Sequence, residues 1–144
     1  MDPSADLPEP SPPTTVDLVT SALASSADFS DVAMFTRVFM RSFGEALPEG
    51  MVDVAYSRTL GDRMAGRPGT PVALTITFPE RRLELRASRG WPEAEVQQVV
   101  RGVVLSHRQV DVGEWVRTLA GELTGLAGRN TAARAALAAL LGTT

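Results

Sequence analysis

Between Pro71 and Ala87 the chain alternates apolar and polar residues with a period of two, broken once by Pro79-Glu80-Arg81-Arg82. Val72, Leu74, Ile76 and Phe78 share one side and Thr75 and Thr77 the other. After the break, Leu83, Leu85 and Ala87 oppose Glu84 and Arg86. This period matches the pleat of a half-buried strand, and a break so short, with Pro at a turn position, folds the second strand back antiparallel to the first. Met51–Ser57 repeats the pattern, with Val52, Val54 and Tyr56 against Asp53 and Ala55. A sheet with one dry face needs a second layer over it, and the rest of the chain must supply that layer.

The flanking segments change period. From Asp28 to Leu47, Val32, Phe35, Phe39, Phe43 and Leu47 recur at helical spacing, with Ser30 or Asp31 placed to cap and Pro48 and Gly50 to terminate. Thr15–Ser26 is a shorter helical candidate, with Val16, Val19 and Leu23 on one side. Toward the C-terminus, Asp111-Val112-Gly113-Glu114 has the form of a capping box before Trp115, Leu119, Leu123 and Leu126, with Gly128 to close that helix. Thr131 is placed to cap a last helix that runs through Leu141.

Residues 95–106 fit two periods. Val96, Val99, Val100, Val103 and Val104 match a helical stripe, but five valines and Gly102 favour a strand, which is the expectation here. The predicted architecture is α+β: an N-terminal helix layer, an antiparallel meander of three or four strands, and two C-terminal helices covering one face. Residues 1–14, with five prolines among Ser and acidic residues, are expected to form a disordered tail preceding a single domain over 15–144. The N-terminal segment has no basic region followed by an apolar stretch, and no apolar run reaches the roughly 18–20 residues of a membrane span. A cytoplasmic location, away from membranes, is expected.

The reagent inventory narrows the chemistry. The chain lacks Cys, all 14 of its positive charges are Arg, and His107 and Tyr56 are the single residues of their types. There is no thiolate, no amine for a Schiff base and one imidazole. Ser106 and His107 are adjacent, but neighbours on a strand point to opposite faces, so they do not suit a nucleophile–base pair. No elbow of the form Gly-x-Ser-x-Gly occurs, and no metal site, cofactor or catalytic residue is expected. Gly61 and Gly66 fit a GxxxxG frame, yet Arg67-Pro68 stands where a phosphate-cradling loop needs Lys and a hydroxyl.

Charge divides along the chain. Residues 1–57 carry nine acids against Arg37 and Arg41, a balance of −7, whereas residues 58–144 carry 12 Arg against eight acids, a balance of +4. The overall charge of −3 argues against nucleic acid as a partner. The long connection 58–70 and the segment after it concentrate arginine. Arg58, Arg63, Arg67, Arg81 and Arg82 are the candidate partner-binding residues, backed by Arg86 and Arg89. The nearly uncharged last helix, through Leu137, Leu140 and Leu141, is a candidate interface, and an exposed sheet edge would serve assembly equally. The expected function is a non-enzymatic protein-binding module: an adaptor, accessory subunit or chaperone-like assembly factor that binds a protein partner or itself. The competing expectation is a small-ligand-binding protein or hydrolase with its pocket between helices and sheet, lined by Phe35, Phe39 and Phe43.

Overall fold

The computed structural model describes residues 14–26, 31–67, 69–89 and 91–142. The predicted tail lies outside the described residues, apart from Thr14, as do Asp28 and Ser30. Helices α1 (Thr15–Ser26) and α2 (Val32–Phe43) precede strand β1 (Val52–Ser57) and the short helix α3 (Leu60–Met64). Strands β2 (Thr70–Thr77), β3 (Arg81–Ser88), β4 (Trp91–Val100) and β5 (Val103–Val110) follow, then α4 (Val112–Ala127) and α5 (Thr131–Leu140). The architecture is α+β as predicted, with five strands rather than three or four, ordered β1-β2-β3-β4-β5 and antiparallel throughout.

The extra strand comes from residues 95–106, which are not one strand but parts of two. Arg101 and Gly102 both take positive φ, 52° and 80°, and fold the valine run into a hairpin. Two consecutive left-handed residues give the turn whose twist matches flanking strands.

The strand registers explain where the core lies. One row across the sheet reads Val54, Leu74, Leu85, Ala94, Val110, and the next reads Val52, Ile76, Leu83, Val96, Arg108. Both rows face the helices, and the second turns polar at β5. On the opposite face the corresponding row is Asp53, Thr75, Glu84, Glu95, Gln109, the polar side of a sheet that faces water.

Helix α2 lies over β2 and β3, α4 packs on β4, and α1 and α5 pack against α4. Phe35, Phe39 and Phe43 are buried along one side of α2. The Phe39 and Phe43 rings lie 5.3 Å apart, and Phe35 meets Trp115 edge-on at 5.8 Å. Asp31 caps α2 by accepting from the Met34 amide at 3.0 Å. Asp111 caps α4 by accepting from the Glu114 amide at 2.8 Å, while the Glu114 carboxylate turns to Arg108 at 3.2 Å. The capping residue of α5 is Asn130 rather than Thr131, its side-chain oxygen accepting from the Ala133 amide at 3.0 Å.

A surface ion pair ties α1 to α4: Arg117 meets Asp17 at 2.8 Å. Asp17 also accepts from the Thr14 amide at 3.1 Å. That backbone bond first, then the Thr14 hydroxyl and the Arg117 guanidinium, hold the Asp17 carboxyl below its usual range. A depressed carboxyl contributes stability above its unfolded value and loses it as pH falls through the folded one. Melting of wild type and Asp17→Asn against pH should therefore show a gap near neutrality that closes at acid pH below the usual carboxylate range. A constant gap at every pH would assign the loss to packing instead.

Candidate functional site

The connection from β1 to β2 builds the most distinctive surface. Thr59 opens α3 with a full capping box: its hydroxyl accepts from the Asp62 amide, and the Asp62 carboxylate accepts from the Thr59 amide, each at 3.1 Å. Arg67 closes the turn on Asp62 at 3.3 Å. So short a helix stands without a buried residue of its own. Leu60 and Met64 project outward, Met64 being 82% exposed.

Strand register shows what adjoins this turn. Ser57 pairs with Thr70, Ala73 with Arg86, and Ser88 with Trp91. The end of β1, the start of β2, the end of β3 and the start of β4 therefore share one end of the sheet, about 14 Å across at the usual strand spacing. Arg58, Arg63 and Arg67 gather there with Arg86 and Arg89. Tyr56 is half exposed and Trp91 is 75% exposed at the same end. Arg86 is held by Glu84 at 3.1 Å and Glu93 at 3.2 Å.

Arg81 and Arg82 lie elsewhere. They open β3, opposite Thr77, at the far end of strands that rise about 3.3 Å per residue. Arg81 reaches Glu122 on α4 at 3.4 Å, and Arg82 sits between Thr77 and Gln97 on the open face of the sheet. The five arginines singled out in the sequence thus divide three to two between opposite ends. The aromatic and apolar company of the first three is what the sequence reading missed. Exposure of Tyr56, Leu60, Met64 and Trp91 depends on which strand ends meet, and the periodicity of any single segment does not reveal that.

Within α5, Leu137 is buried, and Leu140 and Leu141 pack half-buried on the same core. The apolar stripe of that helix is used inside the domain. The three phenylalanines of α2 pack on each other and on Trp115 within the core cluster.

A second concave surface, a groove of about 780 Å³, opens between α4 and the β4–β5 ladder. Its α4 wall carries Glu114, Thr118 and Glu122, one turn apart, and its floor includes Arg81, Gln98, Ser106 and Arg108. The groove exists because the helix layer stops at β4: the apolar rows of the sheet end in Arg108, and β5 is exposed over nearly its whole length. Ser106 shares the helix side of β5 with Arg108, whereas the His107 side chain meets Glu95, on the water-facing side of the sheet, at 3.0 Å. The two side chains are therefore not paired for nucleophilic chemistry. Among the described residues no group of three or more His, Asp or Glu side chains is placed to hold a metal ion, and no helix is long and apolar enough to cross a membrane.

By fold and surface the chain is an α+β domain with a helix layer on one face of an antiparallel meander and an arginine-rich, aromatic end. Comparison with protein-family models, with curated proteins and with solved structures finds no match.

Proposed function

We propose that this protein is a non-enzymatic protein-binding module whose recognition surface is the sheet end formed by Arg58, Arg63, Arg67, Tyr56, Leu60, Met64, Trp91 and Arg89. The observation that carries the reading is the mixture at that end. Arg, Trp, Tyr and Met are the residue types that concentrate at protein interfaces, and here they stand exposed at one end of the sheet, Trp91 three strand spacings from Tyr56. Arginine supplies bidentate contacts to carboxylates, and the apolar side chains supply the dry centre that such contacts need. The partner with matching chemistry is an acidic segment that also bears apolar residues.

The test uses a synthetic peptide of glutamate and leucine, labelled for fluorescence anisotropy. The double variant Arg63→Glu/Arg67→Glu should weaken binding about tenfold or more, since reversal turns two attractions into repulsions. Arg81→Glu/Arg82→Glu, at the other end of the sheet, should leave affinity nearly unchanged. Equal losses from both pairs would mean a diffuse charge effect and would contradict the assignment.

A further inference from the structure

We propose that β5 is the seam of a homodimer, in which two copies pair antiparallel along this strand into one continuous ten-stranded sheet. Among the described residues, the sheet order leaves the outer side of β5 unpaired over Val103–Val110. Eight residues present about 25 Å of unsatisfied backbone donors and acceptors, an open template for another strand. Monomeric proteins blunt such edges with short strands, charges, proline or a covering element. The other edge, β1, is shorter and carries Asp53. β5 has no proline and no charge from Val103 to Ser106. Val103 and Leu105 are 60% and 62% exposed, and Val100 and Val104 lie exposed beside them. Two features oppose pairing: Arg108, and the irregularity at Leu105, where the β4 register passes from Gln98–Ser106 to Val99–Val104.

The strand is complementary to itself. A twofold axis normal to the sheet keeps both helix layers on the same side, so residues of like facing must meet and the register centres on a residue. Centred on Ser106, with Leu105 bulged out of the ladder, it sets Val104 against His107 of the copy and Val103 against Arg108. The two Arg108 positions then lie about 13 Å apart along the strands, each neutralised by its own Glu114 at 3.2 Å. Centring on His107 would oppose two imidazoles and bring the arginines closer, which disfavours that register.

The second copy also completes a site. Each α4–β5 groove is open on its β5 side, and pairing places the two grooves edge to edge across the axis. They merge into a single trough walled by α4 and its copy and floored by four strands. Strand direction reverses across the axis, so the two arginine ends point away from each other and remain accessible.

Light scattering on the full chain across a dilution series tests the seam. The expected mass is twice 15.3 kDa, falling toward the monomer on dilution. Val103→Arg, at an exposed position, should keep its melting temperature and weaken dimerisation on the order of a hundredfold, because it sets like charge opposite Arg108 of the copy. A wild-type monomer at every concentration, or a dimer indifferent to Val103→Arg, would overturn the proposal. If that variant does not fold, Ser106→Cys in this cysteine-free chain decides: oxidation should give a disulfide-linked dimer, and its absence refutes the seam. The seam stands apart from the arginine surface: a monomer that still binds the Glu/Leu peptide refutes the dimer alone.

Discussion

Replacing Trp115 with Ala should remove about 3–5 kcal/mol of folding stability and lower the melting midpoint by roughly 10–20 °C. Trp115 is fully buried at the first turn of α4, edge-on to Phe35, where α2 and α4 meet over the sheet. Its removal leaves a cavity that neighbouring rings, already stacked on one another, cannot fill by small shifts. Against a usual total of about 5–15 kcal/mol, the loss takes a large share of the stability of the domain. Trp115→Phe separates packing from polarity. Among the described residues, the buried indole nitrogen has no hydrogen-bond partner. Phe keeps an aromatic edge against Phe35 and removes that unpaired donor, whose burial costs about 1–3 kcal/mol. The expected result is that Phe restores most of what Ala loses. Equal melting temperatures for the two variants would show that ring packing at this junction carries no weight.

Gly69→Ala should destabilise the domain by about 1–3 kcal/mol and disturb the arginine surface more than its position in the chain suggests. Gly69 has φ of +93°, and a Cβ there would stand 2.5 Å from the Ser57 carbonyl oxygen and 2.7 Å from Arg58 Cγ. The first neighbour is backbone and cannot rotate away. The strain is felt where the 58–70 connection rejoins the sheet, so α3 and its arginines must move to relieve it. Thermal melting and affinity for the Glu/Leu peptide should therefore fall together. Gly66→Ala, also at positive φ but with nothing within 4 Å of its Cβ, separates the two causes. It should lower stability by backbone strain while largely sparing the peptide affinity. An equal loss of affinity in both variants would show that the close approach at Gly69 does not set the position of the loop.

How far the sequence carries is set by the range of each cause. Local causes were legible. The helical period of Val32, Phe35, Phe39 and Phe43 and the alternation through β2 and β3 are fixed by residues a few positions apart, and both elements lie where expected. The valine run 96–104 was not legible as a hairpin. Arg-Gly is a weaker turn signal than Asn-Gly or Asp-Gly, and two adjoining valine pairs look like one strand when Gly102 is counted as its interior. The start of β4 was hidden by Pro92, which lacks the amide an inner strand requires. The register resolves this: β5 ends opposite Ala94, so Pro92 has only β3 as a neighbour and stands on an edge stretch that tolerates proline.

The candidate site was legible in kind and not in extent. Arginine enrichment over 58–89 is visible in the sequence, but a hairpin between two of its members sends Arg81 and Arg82 to the far end of the sheet. The same hairpins return Trp91 to the end of the sheet that carries Tyr56 and Leu60, three strand spacings away. The α5 stripe shows the converse limit. Leu137 reads as a possible contact surface because nothing in its own segment reveals that α4 will cover it.

Hydrogen–deuterium exchange of the full chain, with and without a saturating Glu/Leu peptide, tests the recognition surface most directly. Added protection concentrated in residues 56–67 and 86–91, with the helix layer and the Arg81–Arg82 end unchanged, is the predicted result. Protection gathered at the α4–β5 groove or at residues 80–82 would contradict it and move the recognition surface there.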